Sequence, residues 1–271
     1  MKETREKLFS VDALRVTYRK GGGKPHEAVK GVSFELFRGE TLGIVGESGS
    51  GKSTIAKTLT LLQESSGGKV LFKGEDISAF SSARKKQYRR EVQMVFQDAT
   101  GSLNPRMTIR SMMREVLSVQ GNVAKGEIDG RIGELLGLTG LADAVLDRYP
   151  RELSGGQCQR ASFARALAVR PEVLVADEPV SALDVSVQAR ILNLMRDLRR
   201  ELNLSVVLIA HDLAVVRNVC DKVAVMNKGE FVDFGDADDV FSNPKSDYTK
   251  RLLDAVPDVE RALAKNNCGT C

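Results

Sequence analysis

Polar and apolar positions alternate with a period of two along Val32-Ser33-Phe34-Glu35-Leu36. That spacing puts three apolar side chains on one face and predicts a half-buried strand. Strand character extends over residues 8–45, interrupted by the loop KGGGKP at 20–25. Residues 41–45 predict a buried strand, 53–62 (STIAKTLTLL) a helix, and VLFKGEDI a return to strand. Between 104 and 170 the apolar residues recur at helical spacing, Gly and Pro cut the run into pieces, and strand signals fade. Beyond it, EVLVADEP and SVVLIA predict buried strands. Val187, Ile191, Leu194, Leu198 and Leu202 mark one face of a helix over 186–202. VAVMNKGEFVDFG predicts a hairpin with its turn at Asn227–Gly229. No internal repeat or low-complexity tract interrupts this order.

Composition narrows the class. A chain of 271 residues, 42% hydrophobic, is long enough for a sizeable core with a subdomain. Its 40 basic and 36 acidic residues nearly cancel, which argues against a nucleic-acid partner. Four cysteines are too few for a disulfide scaffold and fit a reducing compartment. The opening MKETREKLFS lacks the apolar stretch of a signal peptide. No apolar run approaches the roughly 18 residues that cross a bilayer.

The first chemistry lies in GESGSGKST at 46–54, between the buried strand and the helix. Gly46, Gly51, Lys52 and Ser53 occupy the fixed places of a phosphate-binding loop, and Ser48, Gly49 and Thr54 complete its contact set. The glycines let successive backbone N–H groups converge on an anion. The helix that follows aims its positive end at the same point. Lys52 is expected on the β and γ phosphates and Ser53 on Mg²⁺. A guanine-reading Asn-Lys-x-Asp is missing, because NKGE at 227–230 carries Glu230 and sits in the predicted turn.

VLVADEP sets two carboxylates at the end of a buried strand, a costly place unless they have a task. Beside a phosphate loop, Asp177 is expected to hold Mg²⁺, and Glu178 to accept a proton from the attacking water.

LSGGQCQR at 153–160 then resembles the signature of the ATP-binding cassette family, about 100 residues after Lys52. Ser154 is a fit helix cap, and Gly155 and Gly156 bare the N–H groups behind it, which makes a second anion site. The resemblance implies a head-to-tail pair of cassettes enclosing two ATPs, each signature closing on the nucleotide of the other copy through Ser154, Gly155, Gly156 and Gln157. It further implies that Tyr18 stacks on adenine, that Gln97 senses Mg²⁺ and links to a membrane partner, and that His211 contacts the γ-phosphate. SALD at 181–184 matches the loop between cassettes, ending on Asp184. His26, in the Gly/Lys loop, is expected merely to be exposed. Cys158 departs from the charged or polar residue common there, and a thiol at that place is expected to make the site sensitive to thiol reagents.

The fold implied is α/β: a P-loop core with a mixed sheet, an N-terminal antiparallel β-subdomain and an inserted α-helical subdomain over about 104–170. The ATPase domain spans 8–257, and 258–271 form a tail. Cys268 and Cys271 offer two ligands where a closed zinc or iron–sulfur site takes four. QDATGSLNPRMTI at 97–109 and FSNPKSDYTKRLLDAVP at 241–257 look like the oligopeptide, dipeptide and nickel importer group. That resemblance implies permease subunits, a second ATPase subunit (identical or a sister chain), an indirect extracytoplasmic binding protein, and a peripheral place on the cytoplasmic face of the inner membrane. Peptides, nickel, metal chelates and opines remain open as cargo. The competing readings are a cassette ATPase of DNA repair or translation, and a small-molecule kinase. The first ordinarily carries a long coiled coil or two cassettes, and the second has no use for LSGGQ.

Overall fold

The alternating pattern at the amino end builds β1 (Lys7–Tyr18) and β2 (His26–Phe37), which pair antiparallel. β3 (Thr41–Val45) runs into the glycine-rich loop and α1 (Lys52–Leu59). β4 (Gly67–Phe72), β5 (Glu75–Asp76) and α2 (Ser82–Glu91) follow, then β6 (Val92–Val95). Four helices come next: α3 (Ala99–Ser102), α4 (Ile109–Gln120), α5 (Ile128–Thr139) and α6 (Gly155–Leu167). β7 (Val173–Asp177), α7 (Val185–Leu202), β8 (Ser205–Ala210) and α8 (Leu213–Arg217) return to the core. The hairpin β9 (Lys222–Asn227) and β10 (Glu230–Asp236) leads to α9 (Ala237–Ser242) and α10 (Asp247–Asp254). The computed structural model describes residues 5–19, 25–120, 123–181 and 183–254. Most of the KGGGKP loop and the tail with Cys268 and Cys271 lie outside the described residues.

Two sheets result. One is antiparallel, in the order β2-β1-β4-β5; the other is mixed, β10-β9-β3-β8-β7-β6, with only β10 antiparallel to its neighbour. The central strands read as unbroken apolar runs because both of their faces are covered. Val173, Val175, Val207 and Ile209 face the antiparallel sheet and α1. Leu174, Ala176, Val206 and Leu208 face the inserted helices and α7. Each of the Val, Leu and Ile side chains among them contributes about 1.5–3 kcal/mol.

The alternation at Val32, Phe34 and Leu36 is realised as a buried face. On α7, Ile191 and Leu198 are buried as expected, but Leu202 is 42% exposed, and Met195 takes a place in the buried stripe instead. Leu202 falls in the last turn, where the helix ends on the left-handed Asn203. Helix α1 stops at Leu59, ahead of the predicted residue 62, because Leu61 turns to a φ of +57°. At the amino ends of β6 and β7, Glu91 and Glu172 meet the basic side chains that follow β2 and β4. Arg38 and Lys73 both bond Glu172, and Lys73 lies 3.6 Å from Glu91. This network ties the two sheets together at the edge opposite the strands' carboxyl ends.

Candidate functional site

The carboxyl ends of four parallel strands deliver the chemistry to one edge of the sheet, the usual place for a ligand in an α/β fold. The glycine-rich loop leaves β3, Gln97 follows β6, Asp177 ends β7 and His211 follows β8. The loop can close only with glycine at two points. A Cβ on Gly46 would fall 2.1 Å from the carbonyl oxygen of Met226, and one on Gly51 2.3 Å from that of Ala28. Both residues also have positive φ, +151° and +113°.

Lys52 is buried and donates to the carbonyls of Gly46 and Glu47 at 2.7 and 2.8 Å. Burial lowers its pKa, while the charges of Glu178, Asp177 and Glu47 oppose the shift. A desolvated cation resting on neutral carbonyls is poised to exchange them for an anion. Ser53 donates its hydroxyl to Asp177 at 2.9 Å, and burial raises the Asp177 pKa.

Glu178 adopts a left-handed backbone at φ +45°, a conformation costing about 1–2 kcal/mol in a non-glycine residue. Its N–H is held by the carbonyl of Ile209 at 3.0 Å. The turn aims its carboxylate at two neighbours. Gln97 Nε2 donates to Glu178 Oε2 at 3.0 Å, and His211 Nδ1 lies 3.5 Å from the same oxygen. Gln97 also donates to the Ser181 hydroxyl at 3.3 Å.

Most of these groups line a cleft of about 640 Å³; Gly46 and Asp177 are not part of its lining. Ser48, Gly49, Gly51, Lys52, Ser53 and Thr54 form its floor, and Tyr18, Gln97, Glu178 and His211 its walls. The Tyr18 hydroxyl is 3.3 Å from that of Thr54, which sets the half-buried ring at the mouth. Sequence reasoning missed three contributors. His26 is exposed as expected, yet it also lines the cleft because strand pairing sets it opposite Tyr18. Ser181 joins through its bond to Gln97. The NKGE turn, as predicted a hairpin turn, braces the loop: Gly229 donates to the Ser50 carbonyl at 2.9 Å and accepts from the Lys30 N–H at 2.8 Å.

The signature lies elsewhere in the chain. Ser154 caps α6, accepting from Gln157 N at 3.3 Å, while Gln157 Oε1 accepts from Ser154 N at 2.9 Å. Asp184 caps α7 in the same manner, accepting from Val187 N at 3.0 Å and the Ser186 hydroxyl at 2.7 Å. Gly155 and Gly156 bring the two tips together, since a Cβ on Gly156 would fall 2.8 Å from Val187. Ser154, Gly155, Gln157 and Asp184 are exposed and do not line the cleft. Cys158 corrects an expectation: it is fully buried, and its thiol donates to the Pro150 carbonyl at 3.3 Å, closed off from thiol reagents.

Known proteins resemble the chain in sequence and in fold. The family model described as ABC transporter matches residues 29–181. The dipeptide transport ATP-binding protein DppF of Lactococcus lactis subsp. cremoris is 45% identical over 255 residues, 93% of this chain and 82% of that protein. The oligopeptide transport ATP-binding protein AppF of Bacillus subtilis is 48% identical over 232 residues, 85% of this chain and 70% of that one. Among solved structures, the dimeric post-hydrolysis state of the ATP-binding cassette MJ0796 bound to ADP and Pi superposes with a TM-score of 0.76 at 28% identity, covering 85% of this chain and 99% of that one. CbiO1 from Clostridium perfringens, part of the ABC transporter complex cbiONQ, gives 0.78 at 26% identity, covering 96% and 99%. On the family match and these relatives, the chain belongs to the ABC transporter family of ATPases.

Proposed function

We propose that the chain is the ATP-hydrolysing subunit of a membrane importer for oligopeptides, dipeptides or related solutes. The observation that supports this best is the convergence of Lys52, Ser53, Glu178, Gln97 and His211 on one cleft, with buried Asp177 bonded to Ser53. The donor set suits Mg²⁺: the Ser53 hydroxyl and Asp177 carboxylate already adjoin, and both are hard oxygen ligands. When bound, Mg²⁺ neutralises charge on the β and γ phosphates.

In this reading Lys52 leaves the Gly46 and Glu47 carbonyls for the triphosphate, and the loop's N–H groups take the remaining oxygens. Tyr18 packs on the base. Glu178 accepts the proton of the attacking water, with Gln97 fixing the carboxylate and His211 standing between it and the γ-phosphate. Ser154, Gly155, Gly156 and Gln157 of a second copy or sister chain close over the nucleotide, with Asp184 at the seam between the two. Closure pulls on permease subunits at the cytoplasmic face of the membrane, and hydrolysis reopens the pair. An extracytoplasmic binding protein presents the cargo. No helix among the described residues is long and apolar enough to cross a membrane, in keeping with a peripheral subunit. The test is uptake of a labelled di- or tripeptide by cells lacking this chain. Uptake should fall, return with the intact chain, and stay low with Lys52→Ala. Normal uptake in the deletion strain overturns the peptide assignment.

A further inference from the structure

The segment after β10 carries a clip that the chemistry described so far leaves unused. Asp233, buried in β10, accepts the N–H groups of Lys245 and Ser246 at 3.1 and 3.0 Å, and the hydroxyl of Thr249. Ser246 accepts from the N–H of Tyr248 at 3.1 Å. The first turn of α10 is thereby fixed, and it delivers the Tyr248 hydroxyl to the phosphate loop, where it accepts from the N–H of Glu47 at 3.1 Å. Burial raises the Tyr248 pKa, so the hydroxyl stays protonated at neutral pH.

The bond falls on a particular peptide unit. The Gly46–Glu47 peptide gives its carbonyl to Lys52 and its N–H to Tyr248. Gly46 has no side chain to restrict rotation of that plane. While the cleft is empty, the lysine and the tyrosine pin the peptide from opposite sides. Once Lys52 turns to a phosphate, Tyr248 is the hold that remains from this pair. We propose that Tyr248 is a positioning residue for the nucleotide: its hydroxyl keeps the Gly46–Glu47 peptide oriented so that the loop receives a triphosphate without rearranging. This rests on the phosphate loop being the ATP site.

Tyr248→Phe removes one oxygen and keeps the ring. Because the bond counts for more once Lys52 has left the peptide, that difference, about one ordinary neutral hydrogen bond, raises ATP Kd and KM about fivefold. kcat should stay within about twofold, and the melting temperature should fall less for the nucleotide-free protein, where Lys52 still holds the peptide, than for the ATP-bound protein. Unchanged KM overturns the proposal. So does a fall in kcat and nucleotide-free stability without a change in KM, which marks a merely structural tyrosine. Lys52→Ala measured alongside separates the two readings. If it binds ATP normally, the loop is not the nucleotide site and the proposed function fails with it. If it loses ATP while Tyr248→Phe binds normally, only the role of Tyr248 falls.

Discussion

Glu178→Gln is the sharpest perturbation of the proposed chemistry. Glutamine matches the carboxylate in shape and inherits the same backbone, left-handed at φ +45°, so the turn at the end of β7 carries the same strain in both proteins. Its side-chain oxygen can still accept from Gln97 Nε2, 3.0 Å from Glu178 Oε2 in the parent. What disappears is the proton acceptor. General-base catalysis is worth about 10²–10⁴ in rate, so the barrier should rise by about 3–5 kcal/mol. ATP affinity should not fall, because the lost charge is a negative one that the triphosphate must otherwise approach; its field also acts on Lys52. The assay is phosphate release at saturating Mg-ATP, paired with equilibrium binding of ATP and gel filtration of the ATP-bound protein. The expected result is turnover at the detection limit, undiminished binding, and a dimer that persists. Hydrolysis within threefold of the parent rate would refute the assignment of Glu178 as base.

Further outcomes follow from the same geometry. If two copies share each nucleotide, mixing equal amounts of a Lys52→Ala chain and a Gly155→Asp chain should recover about a quarter of the normal ATPase rate, since about half of the dimers are then mixed and one of the two composite sites in each is intact. No recovery excludes pairing between identical chains. Asp233→Ala leaves three donors in or beside α10 without their acceptor and should lower unfolding stability by about 3 kcal/mol, read from urea titration. An unchanged midpoint would show that α10 is not held by this clip. Glu172→Gln probes the junction of the two sheets. Burial pushes the Glu172 pKa up, but hydrogen bonds from Lys73 and Arg38 outweigh it and leave the value below the ordinary 4.5. A depressed carboxylate pKa stabilises the fold above 4.5 and loses that contribution as pH falls through the folded value. The variant should therefore be less stable by about 1 kcal/mol at pH 7, a modest figure because the pair is partly exposed. The deficit should vanish on acidification below the depressed pKa; a deficit constant with pH would contradict the ion-pair account.

What could be read in the sequence is what local physics forces. Gly46 and Gly51 announce the loop because no other residue fits beneath Met226 and Ala28. The central strands announce themselves because both faces are covered. Helix α2 escaped notice because, in SARKKQYRRE, Tyr88 is the one buried side chain, which leaves no period to detect. Leu202 misled because apolar spacing does not say where a helix runs past its core. Cys158 looked reactive from its neighbours in the chain, whereas exposure depends on how α6 packs. His26 and Tyr248 reach the site through strand pairing and a contact across 201 positions, and neither leaves a trace in the local pattern.

The reciprocal bonds between Ser154 and Gln157 have a kinetic meaning. The tip of α6 is already capped in a solitary chain, before a counterpart approaches. In the proposed pairing this capped tip needs little further ordering on contact, which spares part of the entropic cost of association. The timing of the closed state then passes to the nucleotide between the surfaces, which is where a motor needs its clock.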